Sequence, residues 1–194
     1  MIIGLTGGIA TGKSTASHIL SEQGIPIIDA DLIAREVVMP GKEAYQKIVA
    51  FFGEKILQED NTLNRTKLGE IIFNNAEKRL RLNEIVHPAV REEMKNQAEH
   101  HLNTGSKIVI MDIPLLFESK LTHMVEETWL IYASPEIQLK RLMERNGYTE
   151  EQALSRIHSQ MPIDDKKALA DVVISNNGTK IELEEKLINQ IKRL

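Results

Sequence analysis

The chain of 194 residues contains no cysteine, and aromatic residues make up only 4% of it. Without cysteine there is no disulfide and no thiolate metal site, which fits a reducing compartment. No apolar run approaches the roughly 18 residues that span a bilayer. A basic segment followed by an apolar stretch and a small-residue cleavage site is also missing. We therefore expect a soluble, unprocessed cytoplasmic protein without a membrane partner.

A basic excess is lacking as well, since 24 lysines and arginines against 28 aspartates and glutamates leave a net charge of −4. Proteins that bind nucleic acid by neutralising its phosphates usually carry such an excess, so we exclude nucleic acid as the main partner. The 42% of hydrophobic and 27% of charged residues are typical of a globular protein. We expect a monomer or a weak homo-oligomer.

Five short runs rich in isoleucine and valine predict buried strands at residues 2–6, 25–28, 107–112, 128–133 and 172–175. Helical segments separate these runs, which predicts an α/β fold with a five-stranded, mainly parallel sheet. Capping boxes at Thr149 to Gln152 and at Thr179 to Glu182 mark the starts of two helices.

The spacing of the strands is uneven, and this predicts how the single domain over residues 1–194 is organised. The long, largely helical interval after the second strand predicts an inserted helical substrate-binding subdomain. A second helical excursion after the fourth strand predicts a lid. The predicted segments are a core of residues 1–30, 105–134 and 161–194, an insertion over 31–104 and a lid over 135–160.

Residues 7–14 match the phosphate-binding pattern G-x-x-x-x-G-K-S, with a predicted strand before it and a helix after it. Glycines let the backbone curl around phosphates, and the helix N-terminus adds the positive end of its dipole. Lys13 is predicted to reach the β- and γ-phosphates, and Ser14 to ligate Mg²⁺. The alternative, an incidental glycine-rich turn, does not account for the strand and the helix. The predicted ATP contacts in this segment are Gly8, Ala10, Thr11, Gly12, Lys13, Ser14 and Thr15.

Carboxylates follow the second and third predicted strands, at the sheet edge where open α/β folds bind ligands. Asp112 ends the third strand, where phosphate-loop proteins hold Mg²⁺ directly or through water, although it could instead cap a turn. Asp29 and Asp31 follow the second strand. One of them could orient an attacking hydroxyl and take its proton, while the other caps the next helix.

Arg141 and Arg145 are four residues apart, and therefore share one helix face, while Arg156 lies on the next predicted helix. Arginines on a helical hairpin near a phosphate loop predict a closing lid that stabilises charge on the transferring phosphoryl group. For any one of these arginines, a solvated helix face is the simpler interpretation.

A phosphate loop does not by itself define a kinase. The N-K-x-D and D-x-x-G motifs of a regulatory GTPase are missing, and motor ATPases are usually larger. A small core with an inserted subdomain and an arginine-bearing hairpin favours a metabolite kinase that encloses its substrate. Two other hypotheses stay open: a kinase for another small substrate, and a nucleotide-binding module without catalysis.

Further sequence blocks extend over almost the whole chain: G-L-T-G-G-I at 4–9, G-K-S-T at 12–15, D-A-D-L-I-A-R at 29–35, H-P-A-V-R at 87–91, D-I-P-L-L-F-E at 112–118, Arg141, and 171–178. In these blocks and in their order, the chain resembles the dephospho-coenzyme A kinase family of metabolite kinases. The family often has Gly-Ser where this chain has Ala10 and Thr11. The resemblance implies phosphorylation of the ribose 3′-hydroxyl of dephospho-CoA by ATP, the last step of CoA synthesis. ATP and dephospho-CoA are the implied partners, and Mg²⁺ is the implied cofactor.

The resemblance also implies roles for individual residues. Lys13, Asp31 and Arg141 are the predicted catalytic residues, with Asp29 as the alternative to Asp31. The further predicted ATP contacts are Arg141, Asn177 and Gly178. The predicted metal ligands are Ser14 and Asp112. The predicted substrate contacts are Asp29, Asp31, Arg35, His87, Arg91, Leu115, Phe117 and Glu118.

Overall fold

A five-stranded parallel sheet runs through the computed structural model, which describes all of residues 1–194. Its strands are β1 (Ile2–Gly7), β2 (Ile27–Asp29), β3 (Val109–Asp112), β4 (Glu127–Tyr132) and β5 (Val172–Ser175). They lie in the order β2-β3-β1-β4-β5, so β1 is the central strand. Leu5 of β1 is in register with Asp112 of β3, and Gly7 is in register with Ile131 of β4. The predicted fold class is confirmed.

Nine α-helices flank these strands, and several of them begin at a residue whose side chain caps the first turn. They are α1 (Lys13–Glu22), α2 (Ala30–Glu36), α3 (Glu43–Phe52), α4 (Arg65–Phe73), α5 (Ala76–Asn103), α6 (Pro135–Asn146), α7 (Glu150–Ile157), α8 (Ile163–Leu169) and α9 (Lys180–Ile191). Short 3₁₀ turns cover Glu54–Ile56 and Thr122–Met124. Both predicted capping boxes form with reciprocal hydrogen bonds, at the first turns of α7 and α9. None of the helices combines the length and the apolar character that crossing a membrane requires.

The chain divides into two compact units. The first consists of Met1–Ile28 and Ala98–Leu194 and contains most of the sheet. The second, Asp29–Gln97, contains α2, α3, α4 and most of α5. The predicted insertion over 31–104 and the predicted lid over 135–160 stay predictions about the roles of these segments.

The core of the first unit packs α1 against the central strand. Ile3 and Leu5 alternate along β1 and pack in one cluster with Ile19 and Leu20 of α1 and Trp129 of β4. All five side chains are at most 1% exposed. Burial of each large aliphatic side chain contributes about 1.5–3 kcal/mol. The segment between β1 and α1 is therefore held at both ends by packed elements.

Asp171, just before β5, binds the backbone and side chain of Thr128 on β4. Its Oδ2 accepts from Thr128 Oγ1 at 2.7 Å and from Thr128 N at 2.8 Å. The hydrogen bond from the Thr128 hydroxyl has the largest effect in lowering the pKa of the Asp171 carboxyl, and the bond from the Thr128 backbone N–H lowers it further. This cluster ties the connection before β5 to its neighbouring strand.

We expect Asp171→Asn to lower the free energy of unfolding at pH 7 by about 1 kcal/mol, because the charged acceptor is lost at a partly exposed site. Because the pKa of the Asp171 carboxyl is lower in the folded than in the unfolded state, it stabilises the fold at pH values above the unfolded-state pKa of about 3.9. This contribution disappears as the pH falls through the pKa of the folded state. Urea unfolding at pH 7 and at pH 3 measures both effects. The exposed Glu185→Gln is the control, and a deficit of the same size at both pH values would contradict the prediction.

Candidate active site

Residues 7–14 run from the last residue of β1 into the first turn of α1 and are called the phosphate loop below. The phosphate loop lines a cavity of about 690 Å³ in the first unit. Residues of α1, α6 and α9 and of the turn before α9 complete the wall. The lining residues are Gly8, Ala10, Gly12, Lys13, Ser14, Thr15, Arg141, Glu144, Arg145, Asn176, Gly178, Lys180 and Leu183. Four of these side chains are cationic and one is a carboxylate, so the cavity favours an anionic ligand.

The carbonyl oxygens of the phosphate loop accept hydrogen bonds from other parts of the first unit. Gly7 O accepts from Lys166 Nζ at 3.1 Å, and Ile9 O accepts from Gln138 Nε2 at 2.7 Å. Two further acceptors complete this set, namely Thr11 O, bound to Asn176 Nδ2 at 2.7 Å, and Gly12 O, bound to Ala16 N at 3.1 Å. Hydrogen bonds from residues outside the loop therefore fix the orientation of these four carbonyl groups.

In a trans peptide the C=O and the next N–H point in opposite directions. Holding those four carbonyls therefore turns the following N–H groups to the other side of the loop. These N–H groups belong to Gly8, Ala10, Gly12 and Lys13, which all line the cavity. By contrast, the N–H groups of Ile9 and Thr11 donate to Gln160 Oε1 and Gly8 O, and neither residue lines the cavity. The loop thus presents backbone donors to the cavity, as an anion site requires.

Two residues of the phosphate loop adopt the left-handed conformation. Gly12 has φ 89°, and a Cβ there would lie 2.2 Å from Asn176 Nδ2, so glycine is required. Ala10 has φ 60°, which costs a residue with a Cβ about 1–2 kcal/mol. The surrounding structure therefore holds Ala10 in a backbone conformation that alanine disfavours.

Asp112 forms a buried polar cluster beside the loop. It ends β3 and is 5% exposed. Its Oδ1 pairs with Lys13 Nζ, and its Oδ2 accepts from Ser17 Oγ at 2.6 Å. A buried carboxylate requires such partners. The pair holds Lys13 in place. Nothing in the sequence singles out Ser17.

Lys166 on α8 is fully buried beneath the phosphate loop. Besides Gly7 O, its Nζ contacts Pro114 O at 3.3 Å and Glu118 Oε1 at 2.9 Å. Glu118 Oε1 also accepts from Met161 N at 3.2 Å. Glu118, a predicted substrate contact, is therefore engaged in an ion pair that supports the loop. Because Lys166 stands in the charged run D-D-K-K, the sequence suggests a surface position for it.

A model of the dephospho-CoA kinase family matches residues 1–182 of the chain. The chain belongs to the dephospho-CoA kinase family. A dephospho-CoA kinase from Bacillus cereus is 56% identical over 187 residues, which cover 96% of this chain and 94% of that protein. The solved dephospho-CoA kinase from Campylobacter jejuni is 32% identical with a TM-score of 0.77, covering 99% of this chain and 96% of that one. A solved Thermus thermophilus protein is 29% identical with a TM-score of 0.82, covering 100% and 96%.

The dephospho-CoA kinase family catalyses the ATP-dependent phosphorylation of dephospho-CoA to CoA, the final step of CoA synthesis. The chain is thus a kinase. The predicted family, fold class and function are confirmed.

All predicted nucleotide contacts except Thr11 and Asn177 line the cavity of this dephospho-CoA kinase family member. Thr11 is fully buried, and its hydroxyl donates to Gly8 O at 2.9 Å. Asn177 Oδ1 accepts from Ser134 N at 2.9 Å, next to the start of α6. The neighbouring Asn176 lines the cavity instead. The contacts of Thr11 and Asn177 with ATP stay predictions.

Five lining residues were not among the predicted contacts with ATP, substrate or metal. One of them, Arg145, was identified in the sequence as an arginine of the predicted lid, one turn after Arg141 on the same face of α6. The other four are Glu144, Asn176, Lys180 and Leu183. Asn176 lies in the sequence block 171–178, which does not distinguish it from its neighbours, and the remaining three carry no sequence signal.

The predicted substrate contacts fall in both compact units. Leu115, Phe117 and Glu118 belong to the first unit, where Leu115 is 42% exposed and Phe117 is buried. The second unit contains the remaining five, which are Asp29, Asp31, Arg35, His87 and Arg91. Their binding roles stay predictions.

Within the second unit, the predicted contacts form two exposed sets on helices. Asp29 caps α2, because its Oδ1 accepts from Asp31 N at 2.8 Å and Leu32 N at 3.0 Å. Asp31 and Arg35 follow on α2, four residues apart. His87 and Arg91, also four apart, share one face of α5.

Removing the buried ammonium group with Lys166→Met should destabilise the fold by about 3 kcal/mol, because the Glu118 carboxylate loses its partner. Lys166→Met should also lower the affinity for ADP, because Gly7 O loses its donor. Adding Glu118→Gln should recover part of the stability but not the ADP affinity, because Gly7 O still has no donor. Denaturant unfolding and calorimetric ADP titration measure the two effects separately.

The matched control is Lys167→Met, which removes the adjacent lysine, an exposed residue whose Nζ lies 5.0 Å from the Tyr132 ring centroid. It should cost no more than about 1 kcal/mol. A double variant that regains full ADP affinity would contradict the anchoring role of Lys166.

Proposed function

We propose that this chain transfers the γ-phosphoryl group of ATP to the ribose 3′-hydroxyl of dephospho-CoA, giving ADP and CoA. The observation that carries the proposal is the cavity formed by the phosphate loop, which has inward-facing backbone donors and cationic walls. Membership of the dephospho-CoA kinase family supports the choice of acceptor.

In this proposal the residues of the cavity act mainly by position and charge. Phosphoryl transfer passes through a loose transition state with charge spread over the transferring oxygens. Lys13, held by Asp112, and the loop N–H groups bind the β- and γ-phosphates. Arg141 and Arg145 supply further positive charge, and Arg141 Nη2 donates to Gly178 O at 3.4 Å, which links α6 to the turn before α9.

We propose Mg²⁺ as the cofactor, with Ser14 and Asp112 as its protein partners. Hydroxyl and carboxylate oxygens are the ligands that Mg²⁺ prefers, and its sites usually combine one or two carboxylates with phosphate oxygens and water. Both oxygens of Asp112 already accept bonds from Lys13 and Ser17, which favours contact through water. The ion would neutralise charge on the phosphates.

Asp31 is the proposed residue that orients the acceptor hydroxyl and takes its proton. Asp29 uses its carboxylate to cap α2, whereas Asp31 exposes its own in the first turn and makes no hydrogen bond or ion pair with it. A catalytic carboxylate must be accessible to the proton that it accepts. The exposed cation Arg35, together with His87 and Arg91, would bind the phosphate groups of dephospho-CoA.

The direct test is to incubate the purified protein with Mg-ATP and dephospho-CoA, and to follow ADP and CoA by chromatography. Matched reactions lack the acceptor or contain adenosine in its place. We expect ADP release that depends on dephospho-CoA and yields CoA in equal amount. Nucleotide binding without acceptor-dependent release would reject this function and favour another acceptor or a non-catalytic module.

We expect Lys13→Ala to reduce turnover by about 10²–10³-fold, or about 3–4 kcal/mol, as for the loss of one preorganised donor. Asp31→Asn should cost less, because a loose transition state leaves little proton transfer to drive. Steady-state kinetics at saturating substrates measures both, with the exposed Lys192→Ala as the control. Near-normal turnover of Lys13→Ala would refute the phosphate-site assignment, and an unchanged Asp31→Asn would remove the proposed role of Asp31.

A further inference from the structure

Two glutamines converge on Ile9 of the phosphate loop from the two ends of the helical hairpin α6–α7. Gln138 lies in the first turn of α6 and is 2% exposed. Its Nε2 donates to Ile9 O at 2.7 Å. Gln160 follows the end of α7, and its Oε1 accepts from Ile9 N at 3.0 Å. Both backbone polar groups of Ile9 are therefore bound by side chains of one hairpin.

The two side chains have opposite hydrogen-bonding roles, which their partners determine. A backbone carbonyl can only accept, so Gln138 must present its NH₂ group. A backbone N–H can only donate, so Gln160 must present its carbonyl oxygen. A carboxylate could therefore replace the side chain of Gln160 but not that of Gln138.

These bonds orient the two peptide units that flank Ile9. Holding Ile9 O turns the Ala10 N–H to the opposite side of the chain, and Ala10 lines the cavity. Holding Ile9 N turns Gly8 O away from Gln160, where it accepts from Thr11. Ala10 itself has φ 60°, a disfavoured conformation that persists where its surroundings impose it.

The same two residues connect the loop to the arginines of the hairpin. Arg141 lies less than one helical turn after Gln138 on α6, and both Arg141 and Arg145 line the cavity. A Cβ on Gly8 would lie 2.6 Å from Gln138 Nε2, so this contact between helix and loop is close. Nucleotide phosphates in the cavity would thus meet loop amides and arginines held in one fixed arrangement.

We propose that Gln138 and Gln160 are positioning residues for nucleotide binding, which orient the Ile9 peptide units and join the α6–α7 hairpin to the phosphate loop. The role in nucleotide binding stands independently of the acceptor, whereas its effect on CoA formation rests on the proposed function.

The test compares Gln138→Glu with Gln160→Glu, which introduce the same charge next to the same residue. Both variants place a negative charge near the phosphates, whereas only Gln138→Glu loses a donor and leaves a carboxylate in a buried position. Gln160→Glu keeps the acceptor for Ile9 N, whereas Gln138→Glu replaces the donor by a carboxylate that faces Ile9 O. Gln152→Glu on the same hairpin is the matched control, because its exposed side chain acts only as the acceptor of a capping box.

We expect Gln138→Glu to bind Mg-ADP about tenfold more weakly than Gln160→Glu in calorimetric titration, since a donor is lost and a buried acceptor is left facing a carboxylate. The KM for ATP should rise in parallel, while the KM for dephospho-CoA stays within about twofold of the wild-type value. Gln152→Glu should match the wild type in both measurements. Equal affinities of the two Glu variants, or an equal rise in both KM values, would overturn the proposal.

If Gln138→Glu does not fold, as judged by its thermal unfolding, Gln138→Met provides the decisive comparison. Methionine keeps a side chain of similar length without the donor, so Mg-ADP affinity should fall by about fivefold. An unchanged affinity would overturn the proposal. ADP titration needs no acceptor, so it tests the two glutamines even if the wild type forms no CoA. Failure to form CoA would reject only the proposed function.

Discussion

The nucleotide site depends on one constraint, which is that the carbonyl oxygens of Gly7, Ile9 and Thr11 are held by side chains from outside the phosphate loop. Triphosphate binding needs several N–H groups on the same side of the backbone, and a free loop has no reason to sort its peptide units in this way. Side chains from α6, α8 and the residue after β5 impose the arrangement by donating to Ile9, Gly7 and Thr11. The amides of the following residues are then left for the ligand.

Two buried ion pairs support this arrangement from below. Lys13 with Asp112 fixes the loop's own cation against the end of β3, and Lys166 with Glu118 fixes the segment after β3 to Gly7. Buried pairs of this kind contribute little net stability, because desolvation offsets most of their attraction. Their value here is geometric, since a misplaced loop would leave a buried charge without its partner.

Much of the fold follows from local signals. The apolar runs identified all five strands within two residues of their ends, because strands covered on both faces must be almost continuously apolar. Helix starts followed from caps such as Ser134 and Thr179, whose side chains bind backbone N–H groups within their own turn. The phosphate loop was identified because its glycines and Lys13 act through spacing along the chain.

Residues that act across the fold could not be identified in the same way. Gln138, Gln160 and Asn176 look like ordinary polar residues in sequence, and Lys166 looks like part of a surface charge run. Phe117 was predicted to contact the substrate and is buried, since the segment after β3 packs more deeply than its motif suggests. For Asp29 and Asp31, the sequence predicted that one of them caps the next helix, and the structure shows that Asp29 does so.

By itself, the sequence determined the strand pattern, the phosphate loop and the family, because these depend on residue types at fixed spacing. Only the tertiary structure decided which side chains hold the loop's carbonyls, and which of Asn176 and Asn177 lines the cavity. The physical reason is that a hydrogen bond between residues more than a hundred positions apart, such as Gln138 to Ile9, leaves no periodicity in the sequence. It exists only once the sheet and its helices have brought the two groups together.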